Sequence, residues 1–311
     1  MFRVSNSKSR AHTKDIWSVS WWNNSIVTGG LDGIVNVWTE NDVDGMKSLQ
    51  CKCSTDAQKV GITSACMTSD ESQLITCSQE SIIRFYDMNS AGSSMEEHDQ
   101  IAPGLMEAWS IAISADDSLI VAGTSTGKIN IWDLVSKREK SSIDLQAKFV
   151  LQSKFSGDGR SIASVDMEGG LHIVDVQTER PVHSISASGL PIRGVSFSNA
   201  PAGKLVFTAS DDRHVSVYDS ASGRVINSFS HTGLALCVDA CSPDKRQFVV
   251  GTSDHNVHVW DLGYQQCVQV IENAHKEPVW GVSYRGGADQ GDKARFASVG
   301  EDCSIQFHDY S

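Results

Sequence analysis

A unit of 42 to 48 residues recurs seven times along the 311-residue chain. Its anchors are Trp38, Tyr86, Trp132, Val174, Tyr218, Trp260 and His308, and all but Trp38 are followed by Asp. One residue before each anchor stand Val37, Phe85, Ile131, Ile173, Val217, Val259 and Phe307; three before stand Val35, Ile83, Ile129, Leu171, Val215, Val257 and Ile305. All are apolar, and the residues between them are polar. Such alternation among β-branched and aromatic residues is the mark of a strand. Upstream of it each unit carries a second strand, such as Ile-Thr-Cys, and an earlier apolar one, such as Trp17 to Trp21. Six residues before the anchor comes Asp32, Glu80, Glu168, Asp212, Asp254 or Asp302, with Thr126 the exception. An acid there suits a turn, because its carboxylate accepts backbone N–H bonds. Each unit thus reads as three strands and a weaker fourth. No segment sustains a 3.6-residue period, so helix should be nearly absent.

The Trp-Asp endings, the four-strand unit and the repeat length resemble the WD40 β-propeller family. The resemblance implies an all-β fold, a seven-bladed propeller forming one domain over residues 1–311. The third strand of the last repeat ends next to Ser311, so Phe2 to Asn6 is expected to supply its fourth strand. That closes the ring and removes an exposed sheet edge.

Composition narrows the function. Asp plus Glu is 38 against 26 Lys plus Arg, a formal charge of -12. Phosphate-backbone affinity comes mainly from Lys and Arg, so direct nucleic-acid binding is not expected. No apolar run approaches the roughly 18 residues of a membrane span, and Met1 to Arg10 lacks the apolar core of a signal peptide. The eight cysteines, Cys51, Cys53, Cys66, Cys77, Cys237, Cys241, Cys267 and Cys303, are scattered. Buried, reduced thiols in cytosol or nucleus are the expectation, with no metal and no cofactor: Cys51 and Cys53 have no second ligand pair at zinc spacing.

Several motifs imitate catalytic ones. Gly123-Thr124-Ser125-Thr126-Gly127 fits G-x-S-x-G, but that nucleophile elbow needs a strand-to-helix turn, and here two strands flank it. Gly127-Lys128 lacks the Ser or Thr of a phosphate loop. His172 and His258 occupy the polar slot of a third strand, where other repeats place Asn, Ser or Gln, and a structural role is expected. His12, Thr28, Asp32 and Trp38 hold the ingredients of a hydrolase triad. In the WD40 family the matching residues form a buried chain of hydrogen bonds from Trp through Thr and His to Asp, and the resemblance implies that structural tetrad here. Repeat seven offers His275, Ser298 and Asp302, with His308 for the Trp. Repeats two, three and four lack the His, so their blades are expected to depend more on apolar packing. No catalytic residue is assigned, and the chain is expected not to be an enzyme.

In WD40 propellers the residues opening each innermost strand line one mouth of the central channel. By repeat alignment these are Trp17, Thr63, Trp109, Phe149, Arg193, Leu236 and Trp280. Fully buried positions prefer Val, Ile and Leu, whereas Trp and Arg are typical of interface hot spots. Asp15 and Glu107 precede two of the Trp by two residues. Acid beside indole suits a cation, above all Arg, which pairs with a carboxylate while stacking on the ring. The expected partner-binding set is therefore Asp15, Trp17, Glu107, Trp109, Phe149, Arg193 and Trp280. The same aromatics would also serve as a plug of the channel.

A narrower resemblance covers most of the chain. Ala11-His12, Ile16-Trp17-Ser18-Val19, Glu107-Ala108-Trp109-Ser110, Lys148-Phe149-Val150-Leu151, Leu190-Pro191-Ile192-Arg193 and Val279-Trp280-Gly281-Val282 are similar to the WD-repeat subunits of the superkiller complex. It is weakest over Asn89 to Ile101 and Arg285 to Arg295, expected to be surface loops. The resemblance implies a non-enzymatic scaffold, a monomeric propeller within a hetero-complex. Its partners there would be a helicase and a tetratricopeptide-repeat subunit, and the assembly supports 3′-to-5′ RNA decay by the exosome. In animals such subunits also join the polymerase-associated factor complex of transcription elongation, which implies both cytoplasm and nucleus. Another WD40 adaptor, such as a chromatin reader or a ubiquitin-ligase substrate receptor, would present the same platform.

Overall fold

Twenty-eight strands form seven four-stranded antiparallel sheets, and among the described residues there is no helix. The computed structural model describes every residue except 44–45, 90–92, 103–107, 199–204, 241–245, 287–293 and 311, and the side chains of 42–47 are likewise left aside. Each sheet is one blade of a propeller. Blade 1 runs from the inner strand Ile16–Trp22 through Ser25–Gly30 and Val35–Val43 to the outer strand Met46–Ser54. Each inner strand packs against the inner strands of the blades on either side, around the whole ring.

The alternation read in the third strands decides the packing. Val35, Val37, Ile83, Phe85, Leu171, Val215, Val257, Val259, Ile305 and Phe307 are fully buried. Clusters of these residues fill the spaces between blades, so the core is a set of wedges rather than one centre. Inner strands are also tied by side chains that capture a neighbour's backbone. Ala65 N donates to Ser18 Oγ at 3.0 Å, Val195 N to Gln152 Oε1 at 2.6 Å, Tyr284 N to Asp239 Oδ2 at 2.8 Å and Trp21 N to Ser283 Oγ at 3.1 Å. Each bond satisfies an inner backbone donor that no strand of its own blade reaches.

The ring closes through the N-terminus. Phe2–Lys8 pairs antiparallel with Ile305–Tyr310, setting Phe2 opposite Tyr310 and Lys8 opposite Ile305, and completes blade 7 as its outer strand. Phe2 is buried between Phe296 and Tyr310, with ring centroids at 5.0 and 5.2 Å. The Gln269 amide of blade 6 holds both backbone groups of Phe2, accepting from its N and donating to its O at 2.7 Å each.

Two expectations change. Within Asn89 to Ile101, residues Met95–Ile101 form the outer strand of blade 2, a polar one whose exposed Glu96, Glu97 and Asp99 hid its character. Its pairing with Ile83–Met88 supplies the order that the side chains do not. Among the cysteines, Cys77 is buried, but Cys51 is exposed on the outer strand of blade 1, where only one side of the ladder is covered. Cys241 and most of the stretch 285–295 lie outside the described residues.

Candidate functional site

The inner strands bring the rim residues to one mouth of the channel, and a β-bulge aims them there. In blades 1, 2, 5, 6 and 7 the register slips by one residue at the start of the inner strand, and the unpaired residues are Trp17, Thr63, Arg193, Leu236 and Trp280. A bulge leaves its extra residue outside the ladder and re-aims its side chain. Five side chains are thus turned toward the channel by the same local device.

Blade 4 corrects the alignment. Its register slips between Val150 and Gln152, so Leu151 holds the bulge position and Phe149 lies two residues earlier. Phe149 O accepts from Met167 N, just as Asp15 O accepts from Leu31 N, which makes Phe149 the counterpart of Asp15 rather than of Trp17. An aromatic residue in place of the acid misled the alignment. Phe149 nevertheless reaches the cluster from its outer side.

The aromatic rings join across the mouth. Trp17 lies 6.0 Å from Trp280 and 6.3 Å from Trp109, and Trp109 lies 5.1 Å from Phe149, edge to face. These contacts link blades 7, 1, 3 and 4. The Arg193 guanidinium of blade 5 extends the row, its Cζ 5.9 Å from the centre of the Trp280 ring. All five side chains are half-buried, and the Trp17 indole N–H is buried with no hydrogen-bond partner among the described residues. The rings therefore form one continuous floor that packs inward and keeps one face to solvent.

Carboxylates surround this floor. Asp15 is half-buried beside the strand that carries Trp17. Glu107 lies outside the described residues. Two acids that the sequence reading passed over belong to the rim. Asp211 binds Arg193 through both oxygens, at 2.7 and 2.9 Å, and Glu301 Oε2 lies 3.5 Å from Trp280 Nε1. Each opens an acid doublet, Asp211-Asp212 and Glu301-Asp302, and that doubling was the available signal: the second acid serves the turn while the first faces the mouth. Such a surface can hold a cation on indole with a carboxylate at its edge.

The tetrad residues meet next to this mouth. Trp38 Nε1 donates to Thr28 Oγ1 at 2.9 Å, Thr28 Oγ1 lies 2.8 Å from His12 Nε2, and His12 Nδ1 lies 3.0 Å from Asp32 Oδ1. Because the carboxylate only accepts, the proton sits on Nδ1 and the Thr28 hydroxyl donates to Nε2. Burial works to raise the Asp32 pKa, but hydrogen bonds from His12 and from the Thr13 and Ile34 N–H groups outweigh it, leaving it at about 2. The four groups are occupied by one another and by Thr13, Ile34 and Asn36. Nothing is poised to attack a substrate, and the hydroxyl that a hydrolase would need is Thr28, with no exposed surface.

The other blades fill the histidine slot in their own ways. Gln58 of blade 2 donates to Thr76 and Tyr86, each at 3.3 Å. Ser188 of blade 5 bonds Ser210 and Asp212 at 2.8 Å. In blade 4, His172 approaches from the third strand and binds Asp166 at 2.8 Å and Ser184 at 3.1 Å. Blades 2 and 4 thus hold polar networks of their own instead of depending on apolar packing alone. His258 stacks edge to face on His231 at 4.9 Å, and its Nε2 is buried with no partner among the described residues. Thr124 to Gly127 forms a tight turn between two strands, and the Gly127 φ of +80° brings its α-carbon against the Ala147 carbonyl, where a side chain would collide. Among the described residues no cluster of three or more His, Cys, Asp or Glu is arranged to hold a metal.

Comparison with known proteins agrees with this architecture. The profile "WD domain, G-beta repeat" matches residues 5–39 and 223–261, and "Nucleolar protein 10-like, N-terminal domain", a β-propeller, matches residues 106–237. The WD repeat-containing protein SL1-17 of Schistosoma mansoni is 29% identical over 232 residues, 73% of each chain. The meiotic recombination protein rec14 of Schizosaccharomyces pombe is 28% identical over 222 residues, 71% of each. The WD repeat-containing protein VIP3 of Arabidopsis thaliana is 28% identical over 216 residues, 62% of this chain and 63% of its own.

Proposed function

Because this chain is a WD40-repeat protein whose repeats close into a seven-bladed propeller, we propose that it serves as the WD-repeat subunit of a superkiller-type complex, a non-enzymatic platform in exosome-dependent 3′-to-5′ RNA decay. Its partners in that role are a helicase and a tetratricopeptide-repeat subunit, and it works in the cytoplasm, with a nuclear share through the polymerase-associated factor complex. The sequence stretches similar to that subunit support the assignment. A second reading draws on the similarity to rec14, named for meiotic recombination: the same platform would then serve a recombination assembly.

One observation carries the scaffold reading: Trp17, Trp109, Trp280 and Phe149 form a joined, half-exposed floor flanked by carboxylates. Half-exposed Trp at the centre of a rigid face is the composition of a binding hot spot. The partner group that fits is an arginine, which lays its guanidinium on an indole and pairs with a rim carboxylate, Asp15, Asp211 or Glu301.

Affinity purification from native extract, followed by mass spectrometry, tests this. Wild type should recover a helicase and a tetratricopeptide-repeat protein, and a Trp109→Ala, Trp280→Ala double variant that melts normally should recover neither. Recovery by both forms would move the interface elsewhere on the propeller. Absence of these partners from the wild-type sample would overturn the superkiller assignment.

A further inference from the structure

The mouth already contains a guanidinium in the posture expected of a partner's arginine. Arg193 binds Asp211 with Nε and Nη2, at 2.7 and 2.9 Å, while its Cζ stands 5.9 Å from the Trp280 ring centre. These are the two interactions, bidentate pairing and indole contact, that make arginine the fitting ligand for an acid-flanked Trp. The bulge at Arg193 turns the side chain inward, and Asp211 stands where it can receive it, its N–H held by Pro191 O. The Asp211 carboxylate is 14% exposed and the Arg193 side chain 37% exposed, so the pair is anchored at its acid and open at its cation.

We infer that Arg193 is an internal stand-in for the partner's arginine, an autoinhibitory contact at the mouth that an incoming guanidinium displaces from Asp211 and Trp280. This rests on the proposed arginine-bearing partner. The exchange is balanced in charge: one guanidinium leaves Asp211 as another arrives, and Arg193 swings into solvent. Such a stand-in keeps a buried-edge carboxylate paired when no partner is present. It also selects, because a lysine ammonium cannot replace a two-point contact with a planar fork. The apparent affinity of any arginine segment is lowered by the fraction of time that Arg193 holds the place.

N-acetyl-arginine amide is a sufficient probe, followed by tryptophan fluorescence and by the Trp280 indole N–H resonance. Arg193→Ala should bind it about ten-fold more tightly than wild type, a change of one order in Kd. N-acetyl-lysine amide should show no such gain. Adding Asp211→Asn to Arg193→Ala should abolish the gain, and Arg193→Gln provides a second background should the alanine variant melt early. Equal binding by wild type and both Arg193 variants overturns the inference. So does loss of native partners from Arg193→Ala without any gain for the probe, since Arg193 would then be a direct partner contact. If the probe behaves as expected but the double Trp variant still recovers its partners, the stand-in holds and the assigned interface fails.

Discussion

Blades 1 and 6 carry the same three signature residues, His12, Asp32 and Trp38 in one and His231, Asp254 and Trp260 in the other, and connect them differently. In blade 1 a hydroxyl relays the indole N–H to the imidazole, and the imidazole is fixed by the acid. In blade 6 Trp260 Nε1 donates straight to His231 Nε2 at 3.0 Å, and His231 Nδ1 is buried with no partner among the described residues. Two intervening residues account for this. Ten residues before the anchor, blade 1 has Thr28 and blade 6 has Val250, so the relay oxygen is replaced by a methyl group. Eight residues before it, blade 1 has Gly30 and blade 6 has Thr252. A Cβ on Gly30 would lie 2.5 Å from His12 Nδ1 and 2.6 Å from Asp32 Oδ1; in blade 6 that space is taken by Thr252, whose hydroxyl binds Asp254 at 2.5 Å. Blade 7 follows blade 1: with Ser298 and Gly300 in these slots, His275 reaches both Ser298 and Asp302, at 2.9 and 3.0 Å. The signature residues supply the groups, and the two small residues between them decide the wiring.

The most damaging way to test this is to place a side chain in the Gly30 slot of blade 1, as blade 6 does with Thr252. Gly30→Ala must push apart His12 and Asp32 or shift the strand, and either breaks a buried network. A loss of about 2–3 kcal/mol is expected, as for other broken buried hydrogen-bond networks, read as a drop in the denaturation midpoint. A variant within about 0.5 kcal/mol of wild type would show that the close approach is relieved by small movements and that Gly30 does not control the wiring.

Acid should separate the two blades in order. Burial, then the neighbouring His258, pushes His231 down to about 4, while Asp254 pulls weakly the other way. The unfolded chain protonates this histidine near 6.5 and the folded chain resists, so its share of stability is complete above about 6.5 and declines as pH falls toward 4. Asp32 has the opposite charge type and a lower window: its contribution is complete above the ordinary carboxylate value of 3.8 and is lost as pH falls toward about 2. Blade 6 is thus sensitive first. His231→Gln, the residue type that blade 2 uses in the same slot, removes one titration and should flatten the decline between pH 6.5 and 4 by about 1.4 kcal/mol per pH unit. Denaturant titrations at several pH values measure it. The His308 imidazole of blade 7, buried and beside His275, is held at about 3 and leaves a residual slope in both proteins. An unchanged slope would mean that His231 is protonated without cost, contrary to its burial.

The contrast also shows what could be read from the chain. Repeat number, strand order and ring closure follow from seven anchors at near-constant spacing, because each apolar alternation can face only one way within a blade. The pair His12 and Asp32 was legible for the same reason. The rim was legible as a set of residue types but not as a register: Leu151, and not Phe149, occupies the bulge, since a shift of two residues keeps the same alternation and leaves no mark in a short apolar stretch. The Arg193–Asp211 pair left one mark, the doublet Asp211-Asp212, in which the second acid accounts for the turn and the first is left over for the rim. The blade 6 wiring was hidden for a different reason. It depends on Val250 and Thr252, ordinary strand residues whose meaning appears only beside Thr28 and Gly30.

The smallest effect is the most specific. Val250→Thr adds a hydroxyl at nearly constant volume between Trp260 and His231. Val and Thr share a shape but not chemistry, and a buried hydroxyl without a partner would cost stability. Here it has two: it can accept the Trp260 indole N–H and donate to His231 Nε2, as Thr28 does at 2.9 and 2.8 Å. A net gain of about 1 kcal/mol is expected, the usual worth of a satisfied buried hydrogen bond. Thr252 remains in the way of the imidazole–acid pair, so the gain should rise when Thr252→Gly is added, and the two changes should not be additive. A destabilised single variant and an additive double variant would mean that blade 6 cannot accept the relay, and that its wiring is fixed by the His231–His258 stack rather than by the two small residues.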